Sequence, residues 1–320
     1  MTEQNTLVFA ADLGGTHLRG ALVDRDGVVH TQSKQETPKG SSPQCVIQAL
    51  RNVADECQQR LGVETLYAAS ILVPGTLDSA SEIVTQAPNL PSLYQFAFKS
   101  ALEDTFGIPV LLENDANAAA VGEMWLGAAR SARNIVCLTL GTGVGGGVIL
   151  NGQLLRGTFG TAGELGHTTL DAFNGPNCKC GNRGCLEMFA SATAIVRMTR
   201  ERLSNYPDTI LRDENLTAAG VYEAGMQGDE LGIEVFRTVG AYLGAGIANL
   251  INILGPELIV IGGGVANGWT LFEEAMREQV LQRAFRALTP AVEIKPAECG
   301  DNAGLLGAAR LAWTSEKFQI

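Results

Sequence analysis

The residues best suited to chemistry lie between Gly163 and Glu187, in the stretch GELGHTTLDAFNGPNCKCGNRGCLE. Three of the chain's seven cysteines and one of its three histidines fall there. His167, Cys178, Cys180 and Cys185 supply one imidazole and three thiolates, the donor set of a closed tetrahedral zinc site. Cys178 and Cys180 flank one lysine, and Gly181 and Gly184 permit the turns that bring Cys185 round to the same ion. Two other readings compete: disulfides, which a chain without an export signal does not favour, and free thiols beside a satisfied histidine. Four protein ligands leave no open position for water, so the metal would organise a loop rather than perform the reaction. Glu164 and Glu187 bracket this loop, where fixed carboxylates can accept from hydroxyl groups; otherwise they are solvated surface acids.

A second set of residues is suited to phosphate. Leu7–Ala11 is an apolar run ending at Asp12, and Asp12-Leu-Gly-Gly-Thr16 turns the chain into the strand Leu18–Val23. Gly14 and Gly15 let backbone N–H groups approach an oxyanion, and Thr16 adds a hydroxyl donor. A glycine pair can equally serve only the turn. The pattern recurs: the strand Asn134–Leu140 runs into Gly141-Thr-Gly-Val-Gly-Gly-Gly147, with Thr142 and Gly143 in the turn, then Val148–Leu150. Such a repeat predicts two related halves facing each other, able to grip one polyphosphate from opposite sides. No G-x-x-x-x-G-K-[ST] motif occurs.

The elements between the repeats place an acid where a ligand would sit. Helices are expected over Ser42–Gln59 and Ser92–Phe106, and a strand over Leu66–Val73 ahead of the Pro74-Gly75 turn. Val110–Leu112 is a strand that delivers Asp115 just before the helix Ala116–Gly127. Open α/β sheets bind ligands at such strand ends, although a helix N-cap would also justify the aspartate. Leu231–Leu254 is a long apolar helix in which Gly240, Gly244 and Gly246 permit close packing. After the strand Glu257–Ile261, Gly262, Gly263 and Gly264 either admit a flat ligand or serve a strand-to-helix turn.

Composition bounds the alternatives. At 320 residues, with 46% apolar residues and 38 glycines, the chain suits a two-domain α/β protein. A net charge of −11 argues against a nucleic-acid surface. The sequence shows no leader and no run apolar enough for long enough to span a bilayer, so a cytoplasmic protein is predicted.

GELGH followed by CKCGNRGCLE resembles the signature of ROK proteins, a family of bacterial sugar kinases and sugar-responsive repressors. The resemblance covers nearly the whole chain. It implies a two-domain actin-like ATPase (ribonuclease-H-like) fold with a cleft, one domain from residues 1–115 plus 303–320 and the other from 116–302. It implies ATP and Mg2+ beside the structural Zn2+. Asp12–Thr16 and Gly141–Gly147 would hold the phosphates, and Gly262–Gly264 would face the adenosine. Gly75, Asn89, Asn114, Asp115, Glu164, His167 and Glu187 would hold the sugar, with Asp115 as the catalytic base. His167 would also present its second ring nitrogen to the sugar. Two positions depart from the family's pattern: His17 stands where lysine or asparagine is frequent, and Thr76 where proline is frequent. The segment Glu113–Glu123 is most similar to the glucokinase branch, with kinases of other hexoses or N-acetylhexosamines as the runner-up and polyphosphate as a less favoured donor. A transcription regulator is disfavoured by the first strand's start at Leu7 and by the acidic charge. A dead sugar-binding module would be expected to lack Asp115 or a glycine turn. A homodimer or homotetramer is the implied assembly.

Overall fold

The structure, a computed structural model, describes residues 6–38, 42–78, 83–87, 90–288 and 291–316. In the first half, β1 (Val8–Leu13), β2 (His17–Val23) and β3 (Val29–Glu36) form an antiparallel meander. Helix α1 (Pro43–Leu61) crosses to β4 (Ala68–Val73), parallel to β1. A small ribbon of β5 (Thr76–Leu77) and β6 (Val84–Gln86) and helix α2 (Phe98–Phe106) precede β7 (Val110–Asn114). Helix α3 (Asp115–Leu126) follows β7 with no intervening loop. The second half begins with β8 (Ile135–Leu140), β9 (Val144–Leu150) and β10 (Gln153–Leu154). After the cysteine-rich loop come α4 (Glu187–Ala190), α5 (Ala192–Arg202), α6 (Ala218–Met226) and α7 (Glu230–Leu254). Then β11 (Leu258–Gly262), α8 (Trp269–Arg283), β12 (Glu293–Pro296) and α9 (Ala303–Thr314) end the described elements.

Two five-stranded sheets result, ordered β3-β2-β1-β4-β7 and β10-β9-β8-β11-β12. They match strand for strand. Each has three antiparallel strands whose first turn is glycine-rich, followed by two parallel strands reached by crossovers. This duplication is that of the actin-like fold. Central strands such as β4 (AASILV) are buried throughout because helices cover both faces of each sheet. Helix α1 buries Val46, Ile47, Leu50 and Val53 against one face of the first sheet. The opposite face packs on α9, while α3 packs on the second sheet through Ala120 and Val121.

Helices α3 and α9 meet between the sheets at nearly bare backbone. A Cβ on Gly122 would lie 2.1 Å from the Ala303 carbonyl oxygen, and one on Gly307 would lie 1.7 Å from that of Ala118. Glu123, buried one turn before the end of α3, accepts from the N–H groups of Ala128 at 2.8 Å, Glu298 at 3.1 Å and Cys299 at 2.8 Å. One carboxylate thereby ties together both chain segments that pass between the sheets.

Several elements differ from the sequence expectation. Ser92–Phe106 is not one helix: Gln95 adopts a left-handed φ of 53° and donates its N–H to the Val84 carbonyl, so α2 starts only at Phe98. The glycine run 141–147 is not one turn either. The turn ends at Gly143, and Gly145, Gly146 and Gly147 are residues of β9. Gly145 and Gly147 are small because α3 lies on them, a Cβ on Gly147 standing 2.6 Å from the Ala120 Cβ, while one on Gly146 would meet the Gly163 carbonyl at 2.5 Å. One helix also departs from the expectation about membranes. By length and composition α7 could cross a bilayer, but Val239, Leu243, Ile247 and Ile251 are in the core. Its Gly240 and Gly244 lie against α8, where Cβ atoms would come within 2.3 and 2.2 Å of the Phe272 and Met276 carbonyls.

The helix crossing yields a paired expectation. Gly307→Ala should force the α3 and α9 backbones apart and cost on the order of 1–3 kcal/mol. Gly304→Ala meets only a Leu72 methyl at 3.1 Å and should stay within about 1 kcal/mol of the parent, since alanine also favours helix. Urea denaturation with an unchanged m-value checks both; equal effects would mean the crossing is not what limits position 307.

Candidate active site

The cleft between the two sheets holds a cavity of 360 Å³ lined by Asp12, Arg19, Asp115, Thr139, Gly262–Gly264 and Asp301 among others. Asp12, at the end of β1, pairs with Arg19 directly across the hairpin, at 2.7 Å. Arg19 has no place in the sequence reading. Alternation along β2 could have revealed it, since an arginine in HLRGALV must either face a ligand or find an acid.

Both glycine turns are braced from behind. Gly14 donates to the His17 carbonyl at 3.0 Å, while the Thr37 N–H and hydroxyl donate to the Thr16 and Gly14 carbonyls. Gly141 donates to the Gly143 carbonyl at 2.9 Å; Ala192 N–H and the Thr193 hydroxyl hold the carbonyls of Gly141 and Thr142. With those carbonyls occupied, the amides of Gly15, Thr16, Thr142 and Gly143 are the groups each tip has to offer an anion. His17 stands exposed at the start of β2. Gly263 has φ 85°, and a Cβ there would lie 2.5 Å from the Leu140 carbonyl. The turn itself thus demands this glycine, while Gly264 borders open space.

Asp115 is the first residue of α3, not its cap. The capping is done by Asn114, whose side-chain oxygen accepts from Ala116 N–H at 2.9 Å and Asn117 N–H at 3.1 Å. One Asp115 oxygen accepts from the same Ala116 N–H at 2.9 Å. The carboxyl is accessible from the open cleft, yet crowding walls desolvate it, and the negative charges of Asp12 and Glu164 add to the effect. Together they push it up to about 6. A carboxylate so poised is a proton acceptor near neutral pH.

The surrounding groups are positioned by a mixture of strand, helix and metal-type loop. Asn114 donates from its amide to the Gly75 carbonyl at 3.0 Å, fastening the loop that carries Gly75, φ 135°, to the end of β7. The Thr76 hydroxyl pairs with that of Thr85 at 2.8 Å. Asn89 lies outside the described residues. Glu164 approaches the Nε2 of His167 at 3.9 Å and is close enough to Asp115 to raise it. Glu187 is placed differently: one of its oxygens accepts from the Val144 N–H at 3.1 Å, on the second glycine hairpin. A contact absent from the sequence reading joins the halves nearby. Glu113, nearly buried, pairs with Arg156 at 2.8 Å and accepts from Asn114 N–H and the Asn117 amide. An acid inside the apolar run VLLEN is the signal that a partner must exist.

The ligand atoms of His167, Cys178, Cys180 and Cys185 lie within 4.8 Å of one another. Tetrahedral zinc, with bonds of about 2.3 Å to sulfur and 2.0–2.1 Å to nitrogen, requires S···S near ~3.8 Å and S···N near ~3.6 Å. The Cys180–Cys185 sulfurs are 3.7 Å apart, and the Cys178 sulfur is 3.6 Å from His167 Nδ1. The soft donor set and its spacing fit zinc. With Nδ1 towards the thiols, Nε2 is the nitrogen left for Glu164 and the cleft. Gly181 and Gly184 both adopt left-handed φ, 92° and 65°, as the tight return to Cys185 demands.

Comparison with known proteins gives one consistent picture. The family model described as ROK family matches residues 8–315. A glucokinase of Thermotoga maritima is 36% identical over 95% of this chain and 96% of its own. A xylose repressor of Bacillus subtilis is 32% identical over 94% of this chain and 75% of its own. The crystal structure of a ROK family glucokinase from Streptomyces griseus, in complex with glucose and AMPPNP, superposes with a TM-score of 0.84. It is 31% identical, covering 97% of this chain and all of that one.

The cysteine cluster generates a direct test. Elemental analysis of purified protein is expected to find about one zinc per chain. Cys180→Ser should lose the ion and melt at a lower temperature, as should the parent protein after chelation. Metal-free protein with parental melting would show that the loop stands without an ion.

Proposed function

This chain belongs to the ROK family, and from that premise we propose that it is an ATP-dependent sugar kinase acting on the 6-hydroxyl of a hexose, glucose first. The observation that carries the reading is Asp115. It is a carboxylate at a strand end, not needed as a helix cap, raised to about 6 and lining the cleft cavity with Asp12 and Gly262–Gly264. In this reading Asp115 accepts the hydroxyl proton as the oxygen attacks. Ala116 N–H holds one of its oxygens, which leaves the other for that proton. Asn114, Glu164, His167, Gly75 and Asn89 orient the sugar's remaining hydroxyls, and Glu187 adds an acceptor from the metal-pinned loop. The amides of Gly15, Thr16, Thr142 and Gly143 cradle phosphate oxygens from both sides of the cleft, and Gly262–Gly264 admit the adenosine. ATP supplies the transferred phosphoryl group when bound. Asp12, a hard oxygen donor at the cleft floor, suits a magnesium ion that keeps mostly water and phosphate ligands. Phosphoryl transfer needs positioning and charge neutralisation more than covalent help, which these groups can give. The structural zinc, a cytoplasmic location and a homodimer or homotetramer without nucleic acid complete the proposal.

The second reading is a sugar-responsive regulator, favoured by the identity with the xylose repressor over most of this chain. Kinases of other hexoses or of N-acetylhexosamines stand between the two. ADP release across a sugar panel with ATP and magnesium separates them; a chain that binds sugar without releasing ADP is not the kinase proposed.

Two outcomes follow from Asp115. Log kcat/KM should fall by one per pH unit below about pH 6, because the base must be deprotonated to work. Asp115→Asn should lower kcat by ~10²–10⁴-fold while sugar still binds. The folded carboxyl is raised above its ordinary value, so its contribution to stability falls as pH rises from about 4 through 6. Asparagine removes that charge and Asn114 still caps the helix, so the variant should melt at or above the parent at pH 8. Parental kcat in this variant would remove Asp115 from the mechanism.

A further inference from the structure

Glu187 occupies an unusual place for a residue read as a sugar ligand. It begins α4, two residues after Cys185, and its chain reaches the second glycine hairpin. One oxygen accepts from the Val144 N–H at 3.1 Å. The carboxylate also fills the space beside Gly143, where a Cβ would come within 2.3 Å of that oxygen and 3.2 Å of the carboxyl carbon. No other atom would obstruct a Cβ at this position, and the backbone there is not left-handed. The second carboxylate oxygen makes no hydrogen bond among the described residues.

From this geometry we infer that Glu187 is a positioning residue that couples the sugar subsite to the phosphate hairpin. The inference rests on the kinase reading above. One oxygen sets the conformation of the hairpin through Val144, and the other is left for a sugar hydroxyl. When that hydroxyl donates, the carboxylate's orientation is fixed and part of its charge is drawn away from the hairpin. Both effects favour a polyphosphate on the neighbouring amides of Thr142 and Gly143. Sugar therefore tightens nucleotide binding, and by linkage nucleotide tightens sugar binding by the same factor. The zinc-type loop supplies the rigidity, since Glu187 lies only two residues beyond its last ligand.

The test is a calorimetric cycle with glucose and AMPPNP plus magnesium, each titrated alone and at saturation of the other. In the parent protein, glucose should tighten AMPPNP binding by about tenfold, within the usual range of such couplings. Glu187→Ala should weaken glucose binding and bring the coupling to within about twofold. Gly143→Ala attacks the same contact from the hairpin side by displacing the carboxylate, and should abolish the coupling too. A parent without coupling, or either folded variant retaining it, overturns the proposal. Glucose affinity lost in Glu187→Ala with coupling intact at saturating glucose would leave Glu187 a sugar ligand and nothing more. Unchanged glucose affinity in that variant would remove it from the sugar site, and a parent that binds neither ligand would sink the kinase reading itself.

Discussion

Helices α3 and α9 cross at a point where neither has room for a side chain. Gly122 and Gly307 set the approach of the two backbones there, and the rest of the site is referenced to that crossing. Packing of this kind has no soft direction, because carbonyl oxygens rather than flexible side chains form the stop. Helix α3 also lies on the bare strand formed by Gly145 and Gly147, so it is fixed from two sides. Its first residue is Asp115 and its buried Glu123 holds the returning chain at Glu298 and Cys299. A single rigid helix thus carries the proposed base at one end and gathers both inter-sheet crossings at the other.

The sugar side has no such frame of its own. Between β10 and α4 the chain has only a short 3-10 turn and two isolated bridges, Thr169 with Cys185 and Asn177 with Arg183. Scattered backbone bonds, such as Leu186 N–H to the Thr168 carbonyl and Leu170 N–H to the Gly184 carbonyl, take the place of a ladder there. Metal binding can supply the ordering energy, and in zinc-finger peptides it amounts to an apparent ~10–16 kcal/mol. Burial first, and the adjacent Cys180 and Cys178 after it, push the Cys185 thiol up to about 12. Close-packed glycine fixes one wall of the cleft, and on the other stand four donors whose spacing suits a zinc cage.

Much of this was readable before any coordinates. The four zinc-type ligands, the paired glycine turns and the acid at the end of β7 depend on residue type and short spacing, which a sequence displays directly. Gly181 and Gly184 take the left-handed φ that the reading required of them. What escaped depends on contacts between distant segments. Asn114 and Asp115 are equally good caps by type, and only the side-chain geometry assigns the task to Asn114. Glycines 145–147 look like more turn until α3 is laid on Gly145 and Gly147 and the Gly163–Leu165 segment on Gly146. The Glu113–Arg156 pair and the Glu187–Val144 bond each span 43 positions. The break at Gln95 overrides a plausible helical period because Val84 offers a strand-like partner.

The return of α9 to the first sheet has a consequence for biosynthesis. Its Leu305, Ala308 and Ala309 cover Val8, Ala10 and Leu72, joined there by Ala118 of α3. On a ribosome adding ~5–20 residues per second, the roughly 190 residues between β7 and α9 take about ten to forty seconds to emerge. Through that interval the nascent first sheet has α1 on one side and lacks α9 on the other. The lobe begun first is the one finished last.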